Sequence, residues 1–395
     1  MRYDFDRVIE RRHSDSTKWR HFAKDVLSLW TADMDFQSPY PVIEALHERV
    51  EHGVFGYSVE SAALRQAIVE RMERLYGWHI RPVDIVFQTG VVHGLHAVCR
   101  VAAAPGDHIL YQPPVYPPIH AAPAHAGCVA VEALLVERPD GGYEIDFDRF
   151  EAAITPSTRL FILCNPHNPV GRVFERRELE RLAEICLRHD LVICSDEIHA
   201  DLLFPGFAHT PIASLSPEVA ARTITLVAPS KTFNLAGLRC SFAIAQDAGL
   251  RRALQAGEGK EFSDVNLLGQ VAALAAYRDG QDWLDQLLRY LEANRNHLTA
   301  FVRDELRGIA VAPAEATYLA WLDCRRAGIT GSPYRFFLEH ARVGLQDGAW
   351  FGAGGEGFVR LNFGCPRPVL HEALARIKTA LCESRAGGNR PSGRQ

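Results

Sequence analysis

The chain has 395 residues with a composition typical of soluble globular proteins, and its formal net charge is −5. Its length is more than one small core needs, so we expect two domains in close contact. The slightly negative charge gives no global reason to expect binding to nucleic acid or anionic membranes. No apolar stretch is long enough for a membrane span, and the opening MRYDFD is too charged for a signal peptide. We therefore expect a cytoplasmic protein with no nucleic-acid or membrane partner.

The nine cysteines are scattered along the chain, and no two of them form a C-x-x-C pair. Several lie inside apolar runs, as at 161–164 and 192–194. This placement indicates buried free thiols in a reducing compartment, and it argues against a disulfide framework or a zinc site.

The middle of the chain alternates short apolar runs with segments of helical spacing. We predict helices from 91 to 100 and from about 175 to 189. The runs predicted as strands are 85–87, 108–111, 160–164, 191–195 and 223–228. This alternation is typical of an α/β fold with a mostly parallel sheet that helices cover on both faces. Ligands of such sheets bind beyond the carboxyl ends of the strands.

After residue 280 the pattern changes to that of a smaller α+β domain. A long helix is expected from Trp283 to about Leu306 and should bridge the two domains. The remaining predicted elements are a strand, a helix, a second strand and a closing helix, with the first three at 317–322, 333–340 and 358–363.

These patterns divide the chain into two domains and a tail. We assign residues 48–285 to the large domain, and residues 1–47 and 286–383 to the small domain. The last residues, 384–395, are rich in polar residues, glycine and proline, and we expect them to be disordered.

Four short stretches follow predicted strand ends, where a ligand site should lie. The first, TGVVHG at 89–94, opens a helix whose free N–H groups suit a phosphate. Many helices begin after a glycine, so this loop alone does not establish a site. The second, CNPHNPVG at 164–171, contains two Asn-Pro steps and a glycine. These residues either form a structural turn or aim an amide side chain at a ligand.

The third stretch, SDEIH, ends a strand with Asp196 and continues to His199. Asp196 is either a helix N-cap or a charge held for a partner. If it faced a pyridine nitrogen, this carboxylate would keep the nitrogen protonated and make the ring an electron sink. His199 by itself is more typical of a structural histidine than of a catalyst.

The fourth stretch has Lys231 just past a buried strand, which is a poor position for an ordinary solvated lysine. Desolvation and neighbouring cations lower the pKa of an amine, as imine chemistry requires. Ser230 and Arg239 beside it offer a hydroxyl and a guanidinium to a phosphate.

The order of these stretches is that of one known pattern: phosphate loop, ring-facing Asn, ring-nitrogen Asp, imine Lys and phosphate Arg. Over nearly its whole length the chain resembles the fold-type I enzymes of the class I/II aminotransferase superfamily, which use pyridoxal 5′-phosphate (PLP). The resemblance implies a large, PLP-binding domain with a mostly parallel seven-stranded sheet covered by helices, and a smaller α+β domain.

The amino-acid sequence of five stretches is similar to that of one branch of the superfamily, the MalY/PatB-type carbon–sulfur lyases. These enzymes are cystathionine β-lyase-like. These stretches are WTADMDF (30–36), CNPHNPVGR (164–172), SDEIHAD (195–201), APSKTFNLAGL (228–238) and VRLNFGCP (359–366). His199 stands where aminotransferases usually have a tyrosine near the phenolic oxygen of the cofactor, and Ala228 stands where many have a phosphate-binding serine. Arg239 departs from the lyase branch, because it follows the general superfamily.

The resemblance implies a role for each site residue. Lys231 holds PLP as an imine, Asp196 pairs with the ring nitrogen, and Tyr116 stacks on the ring. Asn168 donates a hydrogen bond to the phenolic oxygen, and His199 lies near that oxygen. The residues implied to hold the phosphate are Gly90, Val91, Val92, Ser230 and Arg239.

Two further contacts implied by the resemblance involve Arg360 and Tyr57. Arg360 binds the substrate carboxylate through a bidentate pair. Tyr57 reaches the phosphate of the neighbouring subunit, which implies a homodimer. Without the resemblance, core packing is the preferred interpretation of Tyr57 and Tyr116.

These roles predict a PLP-dependent carbon–sulfur β-lyase that cleaves cystathionine or related cysteine S-conjugates to pyruvate, ammonia and a thiol. Lys231, freed when the substrate amine replaces it, is expected to remove the Cα proton. The alternative enzyme is a class I/II aminotransferase acting on an amino acid, which Arg239 favours. A regulatory, protein-binding role is a minor alternative, because the sequence contains no DNA-binding motif and no dedicated interaction surface.

Overall fold

The structure is a computed structural model that describes residues 2–257 and 265–388. The strands are β1 (Leu27–Ser28), β2 (Ile85–Gln88), β3 (His108–Tyr111), β4 (Val129–Glu132), β5 (Val136–Glu137), β6 (Tyr143–Glu144), β7 (Thr158–Cys164), β8 (Val192–Asp196), β9 (Thr223–Val227), β10 (Ser241–Ile244), β11 (Leu319–Asp323), β12 (Val343–Gly344), β13 (Gln346–Asp347) and β14 (Phe358–Asn362).

The helices include both long covering helices and single turns. They are α1 (Thr17–Arg20), α2 (Tyr40–Glu51), α3 (Ala62–Tyr76), α4 (Val91–Ala102), α5 (Pro117–His125), α6 (Phe147–Ala152), α7 (Arg176–Arg188), α8 (Pro217–Ala220), α9 (Pro229–Thr232), α10 (Ala248–Gly257), α11 (Leu267–Asp279), α12 (Gln281–Glu305), α13 (Pro333–Phe336) and α14 (Arg367–Gly388). Within the described ranges, none of them has both the length and the apolar character that a membrane span needs.

A seven-stranded sheet forms the centre of the large part of the molecule, in the order β2–β10–β9–β8–β7–β3–β4. The four pairs from β9 to β4 are parallel, and β10 is antiparallel to both of its neighbours. This arrangement confirms the predicted α/β fold with a mostly parallel seven-stranded sheet.

The two faces of this sheet are buried under different helices. Along β7, Leu160 and Ile162 point to one face and Phe161 and Leu163 to the other, because successive strand residues alternate. The first pair packs in a cluster with the apolar side of α4, and the second pair packs with α7. Both faces therefore exclude water, which explains why the strands are near-continuous apolar runs in the sequence.

A three-stranded antiparallel sheet, in the order β11–β14–β13, forms the centre of the smaller part. The N-terminal residues join it, since β1 pairs in parallel with β12. Arg342 reinforces this contact by donating from Nε to Asp25 Oδ2 at 2.7 Å. Further along the N-terminal region, α2 packs instead against α11.

The closing helix is longer than the sequence pattern indicates. α14 continues to Gly388 and so extends into the segment, 384–395, for which the sequence predicts disorder. Extending a helix that is already formed costs little, and Arg385 Nη2 donates to Ala327 O at 3.3 Å. The rest of the predicted tail, 389–395, lies outside the described residues.

Candidate active site

A cavity of about 250 Å³ lies beyond the carboxyl ends of β7, β8 and β9. Cys164 and Asp196, the last residues of β7 and β8, both line it. The structure brings together here most of the side chains that the sequence predicts as site residues. Those that line the cavity are Gly90, Val91, Val92, Tyr116, Asn168, Asp196, His199, Ser230, Lys231 and Arg239.

Lys231 enters the cavity from α9, which follows β9 directly. Pro229 is the first residue of α9, where its fixed φ favours helix initiation. The Lys231 Nζ donates a hydrogen bond to Ala32 O at 2.6 Å. Burial lowers the pKa of Lys231 to about 8, an effect that Asp33 opposes and Arg360 supports.

The pKa of Asp196, at the end of β8, is shifted in the opposite direction to that of Lys231. Burial raises the pKa of its carboxyl to about 6, while the Ile198 N–H and the Lys231 charge act to lower it. The Ile198 N–H donates to Asp196 Oδ1 at 3.2 Å. Amine and carboxyl therefore both titrate near neutral pH, as acid–base groups of active sites do.

Arg360 on β14 is a buried cation that forms the wall behind Asn168. Its Nη1 donates to Asn168 Oδ1 at 2.9 Å, and its Nη2 donates to Trp30 O at 2.9 Å. Its Nε has no hydrogen-bond partner among the described residues. Burial lowers the pKa of this guanidinium to about 10, with the hydroxyls of Tyr116 and Tyr318 acting the other way. A buried guanidinium with a free donor is suited to a carboxylate ligand.

The Asn168 side-chain amide has its oxygen in a hydrogen bond and its NH₂ group available for a ligand. Its oxygen accepts from Arg360, so the NH₂ group is the part that can donate a hydrogen bond to a ligand. The side chain is buried and lines the cavity.

His199 is a buried, neutral imidazole. Burial, followed by the charges of Lys231 and Arg360, lowers its pKa to about 3. Its Nδ1 is buried without a hydrogen-bond partner among the described residues. Such an atom is costly unless a ligand satisfies it. Tyr116 also keeps its proton, because burial raises the pKa of its hydroxyl.

The other end of the cavity is built to receive an anion. Gly90 is the N-cap of α4, and the first turn of this helix has no acidic residue. The start of α4 offers free N–H groups and the positive end of the helix dipole to an anion. Ser230 and Arg239 line the same cavity and add a hydroxyl and a guanidinium. Thr89 lines the same end. The sequence reasoning did not single it out, although it precedes Gly90 in the TGVVHG loop.

The 30–36 segment, which resembles the lyase branch in sequence, forms part of the site. Ala32 lines the cavity and accepts the Lys231 hydrogen bond. The Tyr318 hydroxyl, which the sequence reasoning also missed, donates to the same Ala32 oxygen at 3.0 Å. No local pattern identifies Tyr318, because its partner lies 286 positions away in the sequence.

Tyr57 is not part of the cavity within a single chain. Its side chain is fully exposed, and Val54, Phe55 and Val59 beside it are exposed as well. This is an apolar surface segment of a kind that commonly contacts another protein surface.

The aminotransferase class I and II family matches residues 24–377. The chain belongs to that family. Cystathionine β-lyase PatB of Bacillus subtilis (strain 168) is a relative with 40% identity over 386 residues, which are 96% of this chain and 100% of PatB. The family and the PatB-like branch predicted from the sequence are thereby confirmed.

Solved structures of other family members superpose closely on this one. The crystal structure of OvoB has 44% sequence identity and a TM-score of 0.92, and the match covers 96% of this chain and 99% of OvoB. A PLP-bound C–S lyase from Staphylococcus hominis has 34% identity and a TM-score of 0.92, with coverages of 96% and 99%. These similarities confirm the predicted fold class.

Proposed function

We propose that this aminotransferase-family protein is a PLP-dependent carbon–sulfur β-lyase. Its substrate would be cystathionine or a related cysteine S-conjugate, and its products pyruvate, ammonia and a thiol. The observation that carries the proposal is the meeting of Lys231 and Asp196 at neighbouring strand ends, in one cavity with an anion-binding helix end. The names of PatB and of the Staphylococcus hominis C–S lyase support it.

The cavity has a suitable group for each polar part of PLP. Lys231 can bond the aldehyde carbon, Asp196 can pair with the ring nitrogen, and the Asn168 amide can donate to the phenolic oxygen. The acid-free start of α4 suits the phosphate. The unpartnered Nδ1 of His199 gives a further, independent sign of a missing ligand, because buried polar atoms are normally satisfied. The residues present therefore fit PLP.

When bound, PLP supplies an electron sink for the electron pair released at the substrate Cα. The residues of the chain supply binding and proton transfer. Arg360 binds the substrate carboxylate and fixes the orientation of Cα. Asp196 keeps a negative charge at the ring nitrogen. Lys231, in its neutral form, takes the Cα proton onto Nζ.

An aminotransferase remains the second candidate. Arg239 lines the phosphate end of the cavity, as the general superfamily pattern implies. An aspartate aminotransferase of Geobacillus stearothermophilus is also a relative, at 29% identity over 373 residues. Removal of the Cα proton is common to both reactions, so the two candidates differ only in the later fate of that proton and of the electron pair.

We further propose a cytoplasmic homodimer in which Tyr57 reaches the phosphate site of the partner. The full exposure of Tyr57 and of its apolar neighbours supports this proposal, since a dimer would cover them. We likewise propose that the chain divides into a large domain of residues 48–285 and a small domain of residues 1–47 and 286–383.

The test compares the wild-type protein with two lysine variants, each loaded with PLP and given L-cystathionine. We expect the wild type and the control Lys24→Ala to release thiol and pyruvate at similar rates, because Lys24 is exposed. Lys231→Ala should release neither while keeping its circular dichroism spectrum. Thiol release by Lys231→Ala at the wild-type rate, or none by the wild type, would refute the proposal.

A further inference from the structure

The Lys231 amine is docked on the 30–36 segment. Its Nζ lies 2.6 Å from Ala32 O. That oxygen also accepts from the Tyr318 hydroxyl at 3.0 Å, so it is fixed in place from a second side. A carbonyl oxygen has two lone pairs and can accept both hydrogen bonds. The site therefore contains a rigid acceptor for an ammonium group.

Asp33, the residue after Ala32, carries a carboxylate whose charge acts on Lys231. Its Oδ2 accepts from Arg11 Nη2 at 2.8 Å. Its Oδ1 is buried and has no hydrogen-bond donor among the described residues, and Lys18 Nζ lies 4.0 Å from it. The carboxylate thus has a cation near each of its oxygens, and its buried Oδ1 accepts no hydrogen bond from the described residues.

Four charged or titratable groups act on Lys231 or feel its charge. Asp33 and Asp196 favour its ammonium form, Arg360 disfavours it, and Asp33 has the largest influence of the three on its pKa. His199 is neutral because burial lowers its pKa. Among these groups Asp33 is the one that stabilises a proton on Nζ most.

We propose, on the basis of the lyase function above, that Asp33 and the Ala32 carbonyl hold Lys231 as an ammonium once it has taken the Cα proton, and thereby favour loss of the thiol over transamination. Asp33 is a positioning residue in this account. It acts through Lys231 and decides which of two reactions follows proton removal.

The two reactions share their first step. The Cα–H bond breaks, an N–H bond forms at Lys231 Nζ, and the electron pair stays on the substrate and the cofactor. In elimination, that pair forms the Cα–Cβ double bond while the Cβ–S bond breaks, and sulfur leaves with its bonding pair. In transamination, the proton must leave Nζ again for a carbon of the cofactor. A carboxylate that stabilises the ammonium assists the shared first step and then disfavours transamination relative to elimination, because only transamination removes the proton from Nζ.

The first test measures Lys231 in the protein without cofactor. Competitive acetylation followed by mass spectrometry gives the pH midpoint at which Nζ becomes reactive. We expect Asp33→Asn to lower this midpoint by about one pH unit, because a favourable charge is lost. Arg11→Gln should raise it, because Asp33 loses its counter-ion. Asp25→Asn removes an exposed carboxylate of the same N-terminal region and should leave it unchanged.

These variants separate electrostatics from damage to the fold. Local unfolding would hydrate Lys231 and move its midpoint upward in every variant. A midpoint that is unchanged or raised in Asp33→Asn, or shifts of the same sign in Asp33→Asn and Arg11→Gln, would overturn the proposal.

The second test measures the outcome of the reaction in the PLP-loaded protein. With cystathionine, we expect the thiol released per pyridoxamine formed to fall about tenfold in Asp33→Asn, because elimination leaves the proton on Nζ and transamination does not. L-alanine lacks a leaving group at Cβ and serves as the control for the shared first step, so Asp33→Asn should still form pyridoxamine from it. An unchanged ratio of thiol to pyridoxamine would overturn the proposal. If the wild type releases no thiol, the lyase function fails, while the acetylation midpoint still decides whether Asp33 stabilises the Lys231 ammonium.

Discussion

Two ionisable side chains of the cavity, Lys231 and Asp196, have pKa values that burial moves toward neutrality, to about 8 and about 6. Each displacement means that the protein without cofactor holds a charge it solvates poorly. We expect bound PLP to relieve this cost, since it offers the carboxylate a protonated ring nitrogen and the amine a carbon to bond.

The first prediction concerns the stability of the protein without cofactor. The folded pKa of Asp196, about 6, exceeds the ordinary value of 3.8. Its contribution to stability is therefore fully present below pH 3.8 and is lost as the pH rises through 6. At pH 7 Asp196→Asn should raise the free energy of unfolding by about 1–2 kcal/mol, measured by urea denaturation. It should also weaken PLP binding.

At pH 3.5 the same variant should have nearly the wild-type stability, because Asp196 is then protonated in both states. A loss of stability of equal size at both pH values would show that the carboxyl is not strained in the folded protein.

The second prediction concerns Arg360. Lysine keeps the charge but cannot form a bidentate pair, so Arg360→Lys should raise KM for cystathionine roughly 10- to 100-fold. Arg325→Lys is the matched control, because Arg325 is an exposed, ion-paired arginine of the same small sheet region. Steady-state kinetics check this. An unchanged KM in Arg360→Lys would exclude its assigned role with the carboxylate.

At the scale of elements, five of the seven strands of the large sheet follow from apolar runs in the sequence. The two that do not are β4 and β10. β4 is an edge strand with Val129 exposed, so it lacks a continuous apolar run. β10 comes shortly after the stretch that contains Lys231, and its antiparallel direction depends on pairing with β2. Strand direction is a tertiary property that local pattern does not contain.

The site was predictable where ligand groups follow strand ends, as Asp196 and Lys231 do. The 30–36 segment was not, because it has no regular structure and is held by side chains far away in the sequence. Asn362 Nδ2 donates to Thr31 O at 2.6 Å and to Asp33 O at 2.7 Å. The Asn234 amide makes hydrogen bonds with the backbone of Met34 and Phe36. These contacts span about 200 to 330 positions, beyond any local pattern.

The third prediction tests this anchoring. Asn234 has a left-handed φ of 59°. Its amide accepts from Met34 N at 3.1 Å and donates to Met34 O and Phe36 O at 3.0 and 2.9 Å. Asn234→Ala should therefore reduce the free energy of unfolding by about 2–4 kcal/mol. Urea denaturation measures this, with Asn296→Ala as the exposed control.

Asn234→Gly separates the two causes, since glycine accepts the left-handed conformation but makes no side-chain hydrogen bond. It should be intermediate between the wild type and Asn234→Ala. Equal stability of all three proteins would mean that Asn234 does not anchor the 30–36 segment.

At the scale of the whole molecule, the site depends on parts that are distant in the chain. Arg360 of the small three-stranded sheet contacts Asn168 beyond the large sheet, and the N-terminal 30–36 segment lies beside both. An ion pair also joins these two parts at the surface, where Arg325 Nη2 lies 2.7 Å from Glu137 Oε1. A substrate carboxylate bound to Arg360 would add one more contact of this kind.

The fourth prediction concerns the proposed dimer. Tyr57→Phe keeps the ring and removes the hydroxyl, so it should weaken PLP binding about tenfold while the protein stays dimeric in sedimentation velocity. Val59→Glu places a charge in the exposed apolar segment, and we expect it to shift the protein to monomers that lose PLP. Monomers of Val59→Glu with full activity would contradict the shared site.

The central claim is that the Cα electron pair expels a thiol, and the stoichiometry of products tests this most directly. The PLP-loaded protein is incubated with L-cystathionine, and pyruvate, ammonia and thiol are counted with and without added 2-oxo acid. We predict equal amounts of all three products, unaffected by the 2-oxo acid. Consumption of cystathionine that requires the 2-oxo acid and releases no thiol would contradict the account and identify an aminotransferase.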